Sequence, residues 1–447
     1  MKDLSKGNIY KTFFLFGLPL VLSGVLSQTY HIVDTSIAGK FFGETGLGAI
    51  GATAPLISFI SSLFWGYGVG FGSYIGRLFG AGEYGKIKSA IYSTYFYMIV
   101  VCVLMSAGLI AFHKPLFDFL NIEEGLRDAA FEYFLFYILG LPFIVLSYNG
   151  IYMMNAFGIG GFPFFMSLLS AVINITGNLF TIMVLGWGLK GLSIATVFAS
   201  MLVDIGYFIK LHKCFREMNA NEKPKIGLTQ LRESLPFALP NMAQQMVMYF
   251  SSFLISPLVN GIGPSASASY SVVSRVYDLN ASVYQNSARA IANYSSQCVG
   301  HKKYNAIKKG VFVGLLQGIA FVTPFVLVCC IFPEAICSLF LKSDADTLTK
   351  SYSYSFAKYY LPFIYINLVC NLFHGLYRGV KATGHLFLTT LLGAGARFIF
   401  SALLVPAWGM HGFYTGWVLS WCTEAIVSVA LFFLGKWNPQ LKEHAPL

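Results

Sequence analysis

In this chain of 447 residues, the side chains whose types and spacing could do chemistry fall on a few stripes. Ser27, Gln28, His31, Asp34 and Thr35 recur three or four positions apart around His31, which on a helix places them on one face. A carboxylate inside a membrane helix costs about 2.5–3.5 kcal/mol on insertion scales, so Asp34 must face a cavity or a partner unless it sits hydrated at the outer interface. Desolvation disfavours the charged form of a carboxyl group, which suits it to carry a proton. His31, one turn earlier, reads equally as a hydrogen-bonding histidine or as a proton carrier. A second stripe comprises Ser167, Ser170, Asn174, Asn178 and Thr181. Its amides are either interhelical glue or a source of carbonyl oxygens for a cation or a carboxyl group.

The second half of the chain carries stripes richer in amides: Asn241, Gln244 and Gln245, then Asn367, Asn371 and His374. Arg275 and Asp278 stand at i and i+3 and are expected to pair. Asp204 and Glu424 read as isolated acids. Gly68, Gly72, Gly76 and Gly80 form a ladder that lets another helix approach closely in lipid. They do not cradle phosphate, because no GKS or GKT follows them. HExxH, GxSxG and Walker A sequences are absent, so metalloprotease, serine hydrolase and ATP-driven pump are unsupported and no enzyme is expected. Transport would draw on an ion gradient. The eight cysteines lack CxxC or metal-ligand spacing and read as small hydrophobes.

The elements positioning these stripes must lie in lipid. Hydrophobic residues make up 56% and charged residues 11% of the chain, against roughly 25% charged in soluble domains, and mean hydropathy is +0.65. Apolar windows long enough to span a bilayer fall near 12–38, 47–80, 88–112, 128–156, 162–185 and 190–214. Six more fall near 232–259, 265–299, 305–332, 349–379, 386–406 and 412–436. The expected fold is an all-α polytopic membrane protein of twelve transmembrane helices in two pseudo-symmetric six-helix lobes. Lys2, Lys6 and Lys11 before an apolar run imitate a signal peptide, but no A-x-A-like site follows, so the first helix is read as retained.

An internal repeat supports the two halves. Gly80, Tyr84, Ile87 and Lys88 recur as Gly300, Tyr304, Ile307 and Lys308; Leu18, Pro19 and Gln28 recur as Leu235, Pro236 and Gln245; WGLKG at Trp187–Gly191 recurs as WGMHG at Trp408–Gly412. The domains are therefore read as 1–215 (first lobe, helices 1–6), 216–231 (cytoplasmic linker) and 232–447 (second lobe, helices 7–12). With both termini inside, 20 Lys and Arg lie inside, six outside and four (Arg275, Arg289, Lys358, Arg397) within spans. That bias fixes both termini as cytoplasmic. It also accounts for the formal net charge of +11 without nucleic acid as a partner.

The stretch from Ser27 to Lys88, with SQTYHIVDTSIAGK, an apolar-Pro helix and a closing RLFGAG, resembles the multidrug and toxic compound extrusion (MATE) family. NITGNLF and LGWGLKGLSIAT resemble further elements of that family's first lobe, and LYRG followed by TGHLFLTTLLG one of its second lobe. The resemblance, nearest to the DNA-damage-inducible branch, implies two six-helix lobes in a V and alternating access driven by H+ or Na+. It implies that Asp34 is the first-lobe coupling carboxylate, with Asn174, Asn178 and Thr196 beside it. Na+ at Asp34 is the one metal reading. Asn178 falls where many members of the archaeal and DNA-damage-inducible branch carry Asp, and Gln244 and Asn367 where the Na+-coupled branch carries Glu and Asp. The expected substrate is a small organic cation or amphipathic compound, met by Gln28, His31, Gln244, Asn367 and Asn371. No cofactor beyond the coupling ion is expected. The protein is read as a monomer in the lipid bilayer of a bacterial inner membrane. A flippase for lipids or lipid-linked precursors is the alternative, kept open by Arg275, Arg289 and Arg397.

Overall fold

With no water in the hydrocarbon core to satisfy N–H and C=O groups, an open chain can cross a bilayer only as helices, and the described chain is helical almost throughout. The computed structural model describes residues 1–341, 345–435 and 437–438, leaving out the side chains of His31, Glu44 and Thr45. In order come α1 (Ile9–Gly43), α2 (Gly46–Ala81), α3 (Tyr84–Ala111) and α4, a pair (Glu124–Leu139 and Leu141–Ala156) bent by 52°. Then follow α5 (Gly161–Met183), α6 (Leu189–Glu217), α7 (Leu228–Asn260), α8 (Pro264–Gly300) and α9 (Tyr304–Ile331). The tenth, α10, runs from Thr347–Ser355 through a π turn at Phe356–Tyr360 into Ile364–Gly379. The last helical stretch, Thr383–Phe433, is broken at Gly409 into α11 and α12.

Among the described residues seven of these stretches are long and apolar enough to cross a membrane, eight with the bent α4 pair. One of the seven is the broken α11–α12 stretch. Those that fall short, α7, α8 and α10, carry polar side chains inside the protein. In α8, Ser269, Asn280, Asn286, Asn293, Ser295 and Gln297 are all buried. A hydropathy window assumes that a helix faces lipid, and a helix enclosed by its neighbours need not be apolar.

By internal packing the chain divides into two compact units, one of Met1–Lys2 with Leu26–Met242 and one of Asp3–Val25 with Ala243–Leu447. The division runs through α1 and α7. The polar stretch expected as a linker is anchored on α3 within the first unit. Lys88 Nζ donates to the carbonyls of Ala220 (2.9 Å) and Glu222 (2.8 Å), and Lys225 N donates to Ser89 Oγ (3.1 Å). In the second unit Leu4 N donates to Gln297 Oε1 (2.8 Å), and Asp3 lies 3.2 Å from His301. Partial burial opposes ionisation of Asp3, but bonds from Ser5 and Lys6 and the nearby His301 override it and hold its carboxyl below the ordinary value.

The internal repeat has a backbone counterpart. Gly82 (φ 74°) in the first unit and Lys302 (φ 57°) in the second occupy the same turn. In each, the next residue's N–H reaches five residues back, from Glu83 to Leu78 O (3.0 Å) and from Lys303 to Cys298 O (2.8 Å). Gly158 (φ 70°) and Lys381 (φ 62°) form a second such pair. The matched glycines of WGLKG and WGMHG agree as well, Gly188 at φ 65°, ψ −150° and Gly409 at φ 54°, ψ −130°.

The ladder on α2 packs as the small-residue spacing requires. A Cβ on Gly72 would meet Tyr152 Cβ at 3.1 Å, and one on Gly66 would meet Asn241 O at 2.9 Å. The intervening Gly70 lies against the backbone of Phe237 and Ala238.

Candidate functional site

The helix α5 is inverted relative to a soluble amphipathic helix. Phe165, Leu168, Val172, Leu179 and Phe180 are exposed, whereas Asn174, Asn178 and Thr181 are buried. Gly177 and Gly191 bring α5 against α6: a Cβ on Gly177 would meet Ala195 Cβ at 3.1 Å, and one on Gly191 would meet Thr181 Oγ1 at 2.7 Å. That approach puts Asn174 beside Thr196, and α1 brings Asp34 to Asn178.

The four polar groups form one continuous set. Asn178 Nδ2 donates to Asp34 Oδ1 (2.6 Å) and to Asn174 Oδ1 (2.8 Å), and Asn174 Nδ2 donates to Thr196 Oγ1 (2.8 Å). Thr196 Oγ1 donates to Leu192 O (3.0 Å). Tyr30, Tyr133 and Tyr137 lie within electrostatic reach of Asp34. Among the described residues no basic side chain pairs with Asp34, and Asn178 Oδ1 is buried without a partner. The amide thus turns an N–H, not its oxygen, toward the carboxyl. Such an arrangement can bind either a carboxylate or a neutral carboxyl, whereas a bare cation would need the oxygen. No group of three or more His, Cys, Asp or Glu suited to a metal ion occurs among the described residues.

The candidate substrate contacts divide between the units. Gln28 is half-buried on α1, and the side chain of His31 lies outside the described residues. Gln244 has its whole amide engaged. Arg378 Nη2 donates to its Oε1 (2.6 Å), and its Nε2 donates to Thr390 Oγ1 (3.1 Å) and His374 Nδ1 (3.2 Å). Because an amide nitrogen can only donate, His374 Nδ1 accepts. Its Nε2–H then faces Glu424 Oε1 (3.0 Å) and Thr389 Oγ1 (3.2 Å). A buried guanidinium and a partly buried carboxylate are thereby joined through one glutamine and one histidine. Asn367 belongs to a separate cluster, donating to Tyr277 OH (2.8 Å) and Tyr284 OH (3.1 Å) and accepting from Asn371 Nδ2 (2.9 Å).

Two sequence expectations change here. Glu424 is not isolated but paired with His374. No close Arg275–Asp278 ion pair forms among the described residues; Asp278 lies in the field of Arg397, whose guanidinium sits 4.3 Å from the Trp417 ring centroid. Arg378 is a site residue that the sequence stripes did not include. Its signal was the i, i+4 spacing from His374, which puts both on one face.

Residues 19–180 and 240–403 match the family profile described as MatE. The chain is 23% identical over 354 residues to the probable multidrug resistance protein YoeA of Bacillus subtilis (strain 168), covering 77% of this chain and 76% of that protein. It is 24% identical over 335 residues to an FAD transporter of Shewanella oneidensis, covering 73% and 72%. A solved structure described as the outward-facing conformation of a multidrug resistance MATE family transporter of the MOP superfamily has the same fold. Its TM-score is 0.87 at 18% identity, with 99% of each chain covered.

Proposed function

The chain belongs to the MatE family, whose members are multi-pass membrane transporters and not enzymes, and from that premise we propose a secondary active efflux antiporter for organic cations or amphipathic compounds. Export runs by alternating access against ion influx, with the proton as coupling ion ahead of Na+. Both termini are cytoplasmic, the membrane is a bacterial inner membrane, and a single chain suffices. The observation that carries the proton reading is the donor-only contact of Asn178 with Asp34 in the absence of a described basic partner. A proton arriving from outside neutralises Asp34 without disturbing that bond, and its loss inside restores the charge. The multidrug reading draws on the name of the Bacillus relative. The flippase alternative loses part of its motive at Arg397, whose guanidinium lies over the Trp417 ring and in the field of Asp278.

The test is transport of a fluorescent organic cation such as ethidium in proteoliposomes, with pH and Na+ gradients imposed separately. A pH gradient alone should drive uptake. Uptake with a Na+ gradient alone would reassign the coupling ion, and uptake with neither would overturn antiport. FAD as a competitor distinguishes the cation reading from the anionic cargo named for the Shewanella relative.

A further inference from the structure

The first unit contains a second membrane-embedded acid that the Asp34 site does not use. Asp204 lies on α6, eight residues beyond Thr196 and so about 12 Å further along the helix. It lies toward the end carrying Lys210, Lys213 and Arg216, which the positive-inside bias makes cytoplasmic. Thr196, Ser200 and Asp204 stand at i, i+4 and i+8, a single polar stripe. Ser200 Oγ donates to Thr196 O (3.0 Å). Ser147 of α4 lies 3.3 Å from Ser200 O and donates to Asp204 Oδ1 at 2.7 Å. The hydroxyls of Thr196, Ser200 and Ser147, each bonded to a backbone carbonyl, therefore mark out a polar stripe without a described basic residue from the Asp34 set to Asp204.

The surroundings of Asp204 match no structural ion pair. Among the described residues none of the ion pairs includes it, and its Oδ2 is buried without a hydrogen-bond partner. The facing groups are the hydroxyl of Ser147 and, within electrostatic reach on α3, the phenol of Tyr95. A carboxylate so placed holds a full charge with one oxygen bare, at high cost in a membrane. A neutral carboxyl carries no such charge, and Ser147 satisfies Oδ1 in either form.

We infer that Asp204 is a second proton-binding site of the first unit, the station that receives the proton leaving Asp34 and passes it to the cytoplasmic side. The step is a transfer of H+ from the Asp34 carboxyl to the Asp204 carboxylate through water along the polar stripe that Thr196, Ser200 and Ser147 line. It leaves Asp34 charged and Asp204 neutral until release inside. This inference rests on the proton-coupled reading above.

Two readouts test it in the full-length protein. In infrared difference spectra, protonated carboxyls absorb apart from carboxylates, and Asp204→Asn should remove one titrating protonated-carboxyl band while Asp34→Asn removes another. In proteoliposomes, Asp204→Asn should slow pH-driven ethidium transport at least ten-fold, Asp204→Glu should recover most of the rate, and equilibrium ethidium binding should stay within two-fold of parent. A merely structural Asp204 would move binding and thermal stability together and leave the infrared bands intact. An unchanged spectrum in Asp204→Asn, or transport at the parental rate, overturns the inference. If Asp34→Asn alone keeps its band and transport, the coupling reading fails and the Asp204 band is judged by itself.

Discussion

Each unit holds a partly buried acid within its helices, and Asp34 and Glu424 are set in opposite ways. Asp34 in the first unit is met by an amide N–H and flanked by hydroxyl groups, with no described cation. Glu424 in the second faces His374, which is tied through Gln244 to the guanidinium of Arg378. An acid tied into a hydrogen-bond network that ends on a guanidinium is held in place by it, and removing one member leaves buried polar groups unpaired. An acid held only by neutral donors can exchange its proton without dismantling its surroundings. The bonding network, more than burial, separates a group suited to working in a cycle from one suited to holding helices together.

The sharpest way to break this contrast is to remove titration from Asp34 while keeping its shape. Asp34→Asn should fold, bind ethidium as the parent does, and lose pH-driven transport by about 100-fold or more, measured as initial rates in proteoliposomes. That loss corresponds to about 2.7 kcal/mol or more at 1.36 kcal/mol per factor of ten. Parental transport by this variant would move coupling elsewhere.

The second unit should show the reverse. Glu424→Ala or Arg378→Ala leaves members of a largely buried hydrogen-bond network unpaired and should cost about 1–3 kcal/mol, read as an early thermal transition in detergent. A double Glu424→Gln, Arg378→Gln variant should recover part of that stability and retain pH-driven transport per folded molecule. If either single alanine variant is as stable as the parent, the stabilising role of the cluster is wrong.

Packing comes next in size. Gly72→Leu presses on Tyr152 and should cost about 1–3 kcal/mol by overfilling. Gly70→Leu, aimed at the backbone of Phe237 and Ala238, should lie at or above the upper end. Equal stability in detergent across parent and both variants would mean that α2 does not pack through its glycines.

The smallest effect compares the matched turns. Lys302 adopts the positive φ that Gly82 occupies in the first unit. Lys302→Gly relieves a left-handed side chain worth about 1 kcal/mol, partly offset by the greater freedom of unfolded glycine, so the melting temperature should rise slightly. Gly82→Lys should lower it. A fall in both would show that the two turns are not equivalent.

Much of this was legible from residue spacing. The Asp34 and Asn174–Asn178 stripes have helical periods, and the WGLKG and WGMHG match anticipated two glycines with the same backbone conformation. Gly82 and Lys302 were harder to see as one position, since the turn tolerates different side chains and the shared signal lies in the flanking Gly80, Tyr84 and their counterparts. The Glu424–His374–Arg378 cluster was not legible. Its members come from α10 and α12, and nothing local in sequence says that one helix face meets another. Asp204 looked isolated for the same reason, because Ser147 lies 57 positions away. The window at 265–299 was legible as α8, but its buried serines and amides became readable as enclosure by protein only in the fold.

The central claim, that the first unit's Asp34 and not the second unit's Glu424 exchanges the coupling proton, is tested most directly by measuring proton release from purified protein. Ethidium is added to parent, Asp34→Asn and Glu424→Gln proteins in weakly buffered detergent containing a pH-indicator dye. Parent and Glu424→Gln should release protons in proportion to ethidium bound, and Asp34→Asn should bind ethidium with almost no release. Undiminished release from Asp34→Asn, with loss of release from Glu424→Gln, would contradict the account.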